Sequence, residues 1–495
     1  MMEKARNFVD GQWTWPAQAG EVVSVNPADT RQAIATAPDS PVSETDRAVA
    51  AARQAFSAWR RTPPPQRAAL LREAGRIMAD RKQVLGETVT RECGKPIAEG
   101  LGEVQEAIDM AELAAGEGRR LFGQTTPSEL PDKLCLTYRE PVGVCGLITP
   151  WNFPIAVPSW KMLHALICGN TVVLKPAEQT PLCAVQFVQC LEEAGIPPGV
   201  VNILHGRGET AGAALVAHPD IDLISFTGST ETGRLIAETC GRTGKHVSLE
   251  CGGKNAQIVM ADADLDLATE GALWGAFGTA GQRCTATSRL IVDEQVHDEL
   301  LERLVTQSGN LKLGDGLDPD VHVGPIIDEN QFKRVLDYIE IGRQDGATLV
   351  CGGSAATKND LAHGHFIQPT IFAGVTRDMR IFREEIFGPV LSVILVSSLD
   401  QAIETLNDCE FGLSSSIYTR DVNGAMRAMR EIEAGIVYVN GPTIGAEVHL
   451  PFGGVKATGN GHREAGATGL DIFTEWKTVY LDYSGRLQKA QIDTN

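Results

Sequence analysis

Between residues 169 and 240 the chain repeats one unit: a short apolar run, a turn, then an amphipathic segment. GNTVVLKP, VVNILHG and DLISFTG read as strands, and CAVQFVQCLEEAG, ETAGAALVAH and STETGRLIAETC read as the helices that follow them. Strands joined through helices run parallel, and such a sheet needs both faces covered. The rhythm therefore predicts an α/β fold with a doubly wound parallel sheet. Ligands bind beyond the carboxyl ends of strands in sheets of this kind, so the turns after VVL, NIL and ISF are the first places to look for chemistry.

The 495 residues are too many for a single core, so two or three domains are expected. Helices are predicted over 46–60, with Ser43 and Asp46 as a capping box, and over about 101–119. LCLTYRE and VGVCGLITP read as strands. A second mixed region from about 251 to 450 holds the strands RLIVD, FIQPTIF, VLSVILV and GIVYVN. Residues 477–483 are strongly β-prone and are expected to pair with another subunit. The run 141–160 carries no charge and is long enough to span a bilayer, but its four prolines argue for buried strand and loop. A net charge of −19 argues against nucleic acid and anionic membrane surfaces as partners. The first residues lack an apolar signal core, and the 11 cysteines form no CxxC pair, so a reduced, cytoplasmic protein without a metal site is expected.

Three strand ends carry suitable groups. Lys175 and Glu178 follow the first, where a carboxylate and an ammonium suit a ribose. Gly208 and Gly212 follow the second; Gly228 and Ser229 follow the third, at a helix start whose free N–H groups suit phosphate. Elsewhere, Cys284 sits in AGQRCTAT, where small residues allow a tight turn and Arg283 offers a charge that would favour thiolate; a small buried core residue is the plain alternative. Glu250 ends a strand-like run before two glycines, and Asn152 lies between prolines and aromatics in PWNFP, as a rigid donor for an oxyanion or as a bonded loop amide.

TPWNFP, GNTVVLKPAEQTP, FTGSTETG, LECGGKN, GQRC, EEIFGP and PFGGVKATGNGHRE occur in this order, and together they resemble the NAD(P)-dependent aldehyde dehydrogenase superfamily over about residues 8–483. The resemblance implies that Cys284 is a nucleophile forming a thiohemiacetal, with the oxyanion held by the Asn152 amide and the Cys284 N–H. Losing one such donor costs roughly 3–4 kcal/mol of barrier. It further implies hydride transfer to NAD, hydrolysis of the thioester by water activated at Glu250, and a proton relay through Lys161 and Glu464. By the same resemblance Thr149, Pro150, Trp151, Lys175, Glu178, Gly208, Phe226, Gly228, Ser229, Glu385 and Phe387 contact the cofactor, with Glu178 favouring NAD over NADP. The implied architecture has a Rossmann-type cofactor domain (1–123 and 142–251), an α/β catalytic domain (252–450) and a small β oligomerisation arm (124–141 and 472–495). Residues 451–471 return to the cofactor domain, and a homodimer or homotetramer is expected.

Arg283, directly before the nucleophile, would clamp a substrate carboxylate in bidentate fashion, or else pair with a local acid. EGLGEVQEAID, FGLSSSIYTRD and GAE are similar to the antiquitin branch, which acts on aminoadipic semialdehyde; there Glu103 or Glu106 would meet a substrate amine. TPWNFPIAVPSWK is shared with 2-oxoglutaric semialdehyde enzymes. The expected substrate is a short ω-semialdehyde bearing a carboxylate, contacted by Arg283, Glu106, Gly445, Ala446 and Phe452. The alternatives are aminoadipic semialdehyde, a general aliphatic aldehyde, or a catalytically silent binding protein. Glu447 and His449 in the same loop weigh against a simple anion site.

Overall fold

The computed structural model describes residues 2–492; Met1 of the expected cofactor domain and residues 493–495 of the expected arm lie outside the described residues. Five parallel strands form the first sheet: Val144–Ile148, Thr171–Lys175, Val201–Ile203, Leu223–Thr227 and His246–Glu250. Numbered in chain order they lie 5-4-1-2-3, the Rossmann arrangement, with an antiparallel hairpin (Asn7–Val9 and Gln12–Thr14) added beside the third. The order reverses between Val144–Ile148 and Leu223–Thr227, so their carboxyl ends, at Thr149-Pro150 and Thr227-Gly228, flank the switch-point crevice.

The second sheet also has seven strands. Asn255–Val259, Thr287–Asp293, Thr370–Ala373, Val390–Val396, Ser414–Tyr418 and Ile436–Val439 run parallel, and Thr348–Cys351 is antiparallel at one edge. Each sheet has its own apolar core. Leu147, Val172 and Leu174 anchor one, and Ile258, Leu290 and Ile394 the other. The βαβ reading of 169–240 gives three of the five parallel strands of the first sheet, and the strands read after residue 251 belong to the second.

Some expectations need correction. The helix Val42–Trp59 begins earlier than its apolar pattern; its N-cap is Pro41, Ser43 lies inside it, and no side chain caps it. ETAGAALVAH opens with a π-helical turn, Gly208–Gly212, before the short helix Ala213–Ala217. The uncharged run 141–160 contains a strand and loop, and also the start of the buried helix Ala156–Cys168, because Pro158 falls in its first turn where no N–H partner is lost. Residues 477–483 do not need another subunit to pair: Thr474–Asp482 runs antiparallel to Lys133–Pro141 of the same chain, in a three-stranded sheet completed by Thr125–Thr126. Among the described residues no helix is long and apolar enough to cross a membrane.

Candidate active site

Cys284 follows a turn that only unusual backbone allows. Thr279 (φ 52°), Ala280 (φ 54°) and Gly281 (φ 69°) are successive left-handed residues. For the two with a Cβ this costs about 1–2 kcal/mol each. Glu99 holds the turn by accepting the Thr279 N–H at 3.1 Å and the Thr279 hydroxyl. A Cβ on Gly281 would stand 2.2 Å from the Gly388 carbonyl oxygen, so glycine lets the turn pass against the segment carrying Glu385 and Phe387. Burial, then the charges of Glu250 and Glu385, push the Cys284 thiol up to about 12, against backbone N–H groups of Thr285 and Cys284 that pull it down. The expectation that Arg283 favours thiolate is therefore corrected. Its Nη2 donates to Glu99 at 2.7 Å and its Nε to Thr279 Oγ1 at 2.9 Å, so its charge is matched by Glu99.

Across from this turn, Asn152 is buried and its Nδ2 donates to the Gln282 carbonyl at 3.0 Å. An amide carries two N–H bonds on that nitrogen, so one remains for a second acceptor. Glu250 ends the edge strand of the first sheet and is buried, with Oε2 unbonded among the described residues. Burial foremost, then Glu464, hold its carboxyl well above the ordinary range, while Lys161 and Arg463 act in the opposite sense. Lys161 Nζ is ion-paired to Glu464 and donates to Ser225 Oγ at 2.9 Å, which joins three buried polar side chains next to Glu250.

Two cavities share Cys284. The larger, about 250 Å³, is lined by Pro150, Trp151, Asn152, Gly228, Ser229, Glu385 and Phe387. Phe387, itself left-handed at φ 59°, meets Trp151 edge-on at 5.5 Å and is held by Gln331, whose Nε2 donates to its carbonyl at 2.9 Å. Glu385 Oε1 accepts the Gly253 N–H at 3.0 Å, and a Cβ on Gly252 would stand 2.3 Å from its Oε2. Phe226 packs under the turn, since a Cβ on Gly228 would lie 2.5 Å from its ring. Ser229 Oγ caps the helix Thr230–Thr243 by accepting the Thr232 N–H. Outside this cavity, Lys175 pairs with Glu178 at 3.1 Å, the Thr149 N–H donates to the Lys175 carbonyl at 3.2 Å, and exposed Gly208 opens the π-helical turn. The Thr149 and Thr227 hydroxyls are buried without a partner among the described residues. A dinucleotide fits this arrangement: small residues keep the crevice open, the N-terminus of helix Thr230–Thr243 faces it, and a lysine–carboxylate pair stands at the end of the neighbouring strand Thr171–Lys175.

The smaller cavity, about 120 Å³, brings together Arg283, Glu106, Gly445, Ala446 and Phe452, with Glu250 and Glu464 behind them. Burial first, then the charge of Glu103, pushes the Glu106 carboxyl up to about 8. Glu103 does not face this cavity as expected for an amine contact; it is locked to Lys95 at 2.6 Å. Glu447 and His449 form an exposed pair at 3.6 Å and do not line the cavity. Sequence reading missed Lys95, Ser225, Gln331 and the role of Glu99. A lysine in the apolar context CGKPIA was the one available signal. The others hide among common polar residues.

The model of the aldehyde dehydrogenase family matches residues 13–479. The chain is 41% identical to the alpha-ketoglutaric semialdehyde dehydrogenase of Bacillus subtilis, over 96% of this chain and 97% of that one. It is 43% identical to the alpha-ketoglutarate semialdehyde dehydrogenase of Haloferax volcanii, over 98% of this chain and all of that one. The crystal structure of an NAD-dependent aldehyde dehydrogenase from Sinorhizobium meliloti superposes with a TM-score of 0.95 at 39% identity, covering 99% of this chain and 97% of that one.

Proposed function

The chain belongs to the aldehyde dehydrogenase family, and on that premise we propose that it oxidises a short, carboxylate-bearing ω-semialdehyde, with 2-oxoglutaric semialdehyde as the leading case, using NAD. Cys284 gives its thiol proton to water and attacks the aldehyde carbon as thiolate, and the oxyanion is met by the Asn152 amide and the Cys284 N–H. Bound NAD supplies the hydride acceptor. Glu385 and Phe387 would hold its nicotinamide ribose and ring, Gly228 and Ser229 its pyrophosphate, and Lys175 and Glu178 its adenosine ribose, with Pro150 and Trp151 lining the same cavity. Thr149, Phe226 and Gly208 shape the turns beside it. Glu178 repels a 2′-phosphate, which favours NAD over NADP. Glu250 then takes a proton from water that hydrolyses the thioester, and the Lys161–Glu464 pair with Ser225 passes that proton on. The exposed strand edge of the arm is the surface on which a dimer or tetramer would form.

The observation that carries the substrate class is the position of Arg283, which lines the same small cavity as the nucleophile beside it. Its Nε and one N–H of Nη2 are engaged by Thr279 and Glu99, which leaves Nη1 and the second N–H of Nη2 for the substrate carboxylate. Glu106, held largely neutral at pH 7, does not repel that carboxylate. A second reading, aminoadipic semialdehyde, draws on the same Glu106 as a partner for a substrate amine. The test is the initial rate of NADH formation with 2-oxoglutaric semialdehyde and with an uncharged aldehyde of equal length. The acid is expected to be preferred, and Arg283→Ala to lower kcat/KM for the acid at least tenfold while leaving the uncharged aldehyde within threefold. Equal rates for both aldehydes, unchanged in the variant, would make the enzyme a general aldehyde dehydrogenase.

A further inference from the structure

Helix Ile97–Glu117 presents Glu99 and Glu103 one turn apart, hence on one face. Glu99 grips the Cys284 turn through Thr279 and Arg283. Glu103 grips the opposite loop: its Oε1 accepts the N–H groups of Ile155 at 2.7 Å and Ala156 at 3.2 Å, at the start of helix Ala156–Cys168, where an anion is favoured. Its Oε2 accepts from Lys95 Nζ at 2.6 Å, and the same ammonium donates to the Asn152 carbonyl at 2.6 Å and lies 4.0 Å from the centre of the Phe153 ring. Both side chains are almost wholly buried, at 1% and 0% exposure. A buried pair of this kind contributes little net stability compared with well-packed neutral residues, so its value here lies in geometry.

We propose that Lys95 and Glu103 are positioning residues for the oxyanion-binding amide of Asn152. Three of the five residues 152–156 are fixed by this pair, through one carbonyl and two N–H groups. The Asn152 backbone is thus held on one side by Lys95, while its side chain is fixed on the other by the Gln282 carbonyl. Because Glu99 sets the facing turn from the same helix, both donors to the oxyanion are referenced to a single rigid element. Small displacements matter here, since a donor acts only when it lies about 2.7–3.1 Å from the developing oxyanion. The proposal rests on the oxyanion role given to Asn152 above.

The test compares two reactions of Cys284 in the NAD-bound protein. Acyl transfer from p-nitrophenyl acetate develops an oxyanion; alkylation by iodoacetamide, a displacement at a saturated carbon, does not. The variant is Lys95→Met with Glu103→Gln, which removes both charges together and keeps an acceptor for the Ile155 N–H. Acylation is expected to fall at least tenfold, with alkylation and the NAD dissociation constant each within twofold. In an Asn152→Ala background the same double substitution is expected to change acylation less than twofold. Equal losses in acylation and alkylation would mean a merely structural role and overturn the proposal, as would a full tenfold loss in the Asn152→Ala background. If Asn152→Ala alone left acylation unchanged, the oxyanion role itself would fail, and the positioning role with it.

Discussion

Glu250 and Cys284 face the same small cavity with their pKa values both raised, and burial is the main cause for each. The proposed division of labour gives Glu250 its decisive task after hydride transfer, when the thioester must be hydrolysed. Glu250→Gln is accordingly expected to release about one equivalent of NADH per active site in a rapid burst and then to slow at least 100-fold. Rapid-quench or stopped-flow absorbance reads this directly, and slow turnover without a burst would place Glu250 before the hydride step. Glu250, Cys284 and Asn152 were legible in the sequence because each stands in a short motif beside glycine or proline. Lys95 was not, because its function is carried by contacts with residues 103 and 152 that only the folded backbone brings within reach.

At the scale of elements, helix Ile97–Glu117 does more than its amphipathic pattern announces. Val104, Ile108 and Ala111 are buried on its core face, and Ala115 is half-buried. The acidic side chains that look like a solvated face instead divide three ways, with Glu99 on the nucleophile's turn, Glu103 on Lys95 and Glu106 at the substrate cavity. Glu106 is faced by Glu103 and Asp109 of its own helix and by Lys95 and Arg283 from neighbouring segments. Its carboxyl is raised to about 8, so the folded protein binds this proton more tightly than the unfolded chain. Stability from this group is fully present below the ordinary carboxylate value and is lost as pH rises toward 8. Ionisation above that point also places a charge against an acidic substrate. KM for 2-oxoglutaric semialdehyde is expected to rise several-fold between pH 7 and 9, and Glu106→Gln to flatten that rise; an unchanged profile in the variant would assign the effect to another group. The amphipathic helices and the short apolar strands were legible from their periods, whereas the buried helix Ala156–Cys168 has no polar face to give it one. Caps and starts were not, as Pro41 and Pro158 show, because a first turn has free N–H groups and tolerates residues that a helix interior rejects.

In the whole molecule, two seven-stranded sheets meet at Cys284, and a three-stranded arm is tied beside the first by Arg60–Glu140 and His246–Glu475 ion pairs. Thr474–Asp482 is the outer strand of that arm, with Trp476, Tyr480, Leu481 and Tyr483 exposed along it and just beyond. An open edge carrying large apolar side chains is a template for another strand, and natural proteins seldom leave one uncovered. Sedimentation is expected to give a mass that is a multiple of the 53.1 kDa chain. Tyr480→Glu with Leu481→Lys should shift it to the monomer, whereas an unchanged assembly would move the interface elsewhere. A parallel, doubly wound first sheet followed from the sequence rhythm, and its strand order came only with the folded chain. The resemblance put 124–141 and 472–495 in one arm, but the residues themselves carry no local mark that Thr474–Asp482 pairs with Lys133–Pro141 of the same chain, because the two strands are distant in sequence.

The same chain order has a consequence for synthesis. Lys161 and Glu464, paired in the finished site, are 303 positions apart. At about 5–20 residues per second, a ribosome takes roughly 15–60 s to travel between them. Throughout that interval a nascent first sheet would have to bury an ammonium whose counter-charge has not yet been made. The half-built domain therefore has reason to stay loose until translation has passed Glu464, and Cys284 emerges well before that partner. Pairing of Lys161 with Glu464 becomes a late event, so a truncated product would carry Cys284 without the finished cavity around it.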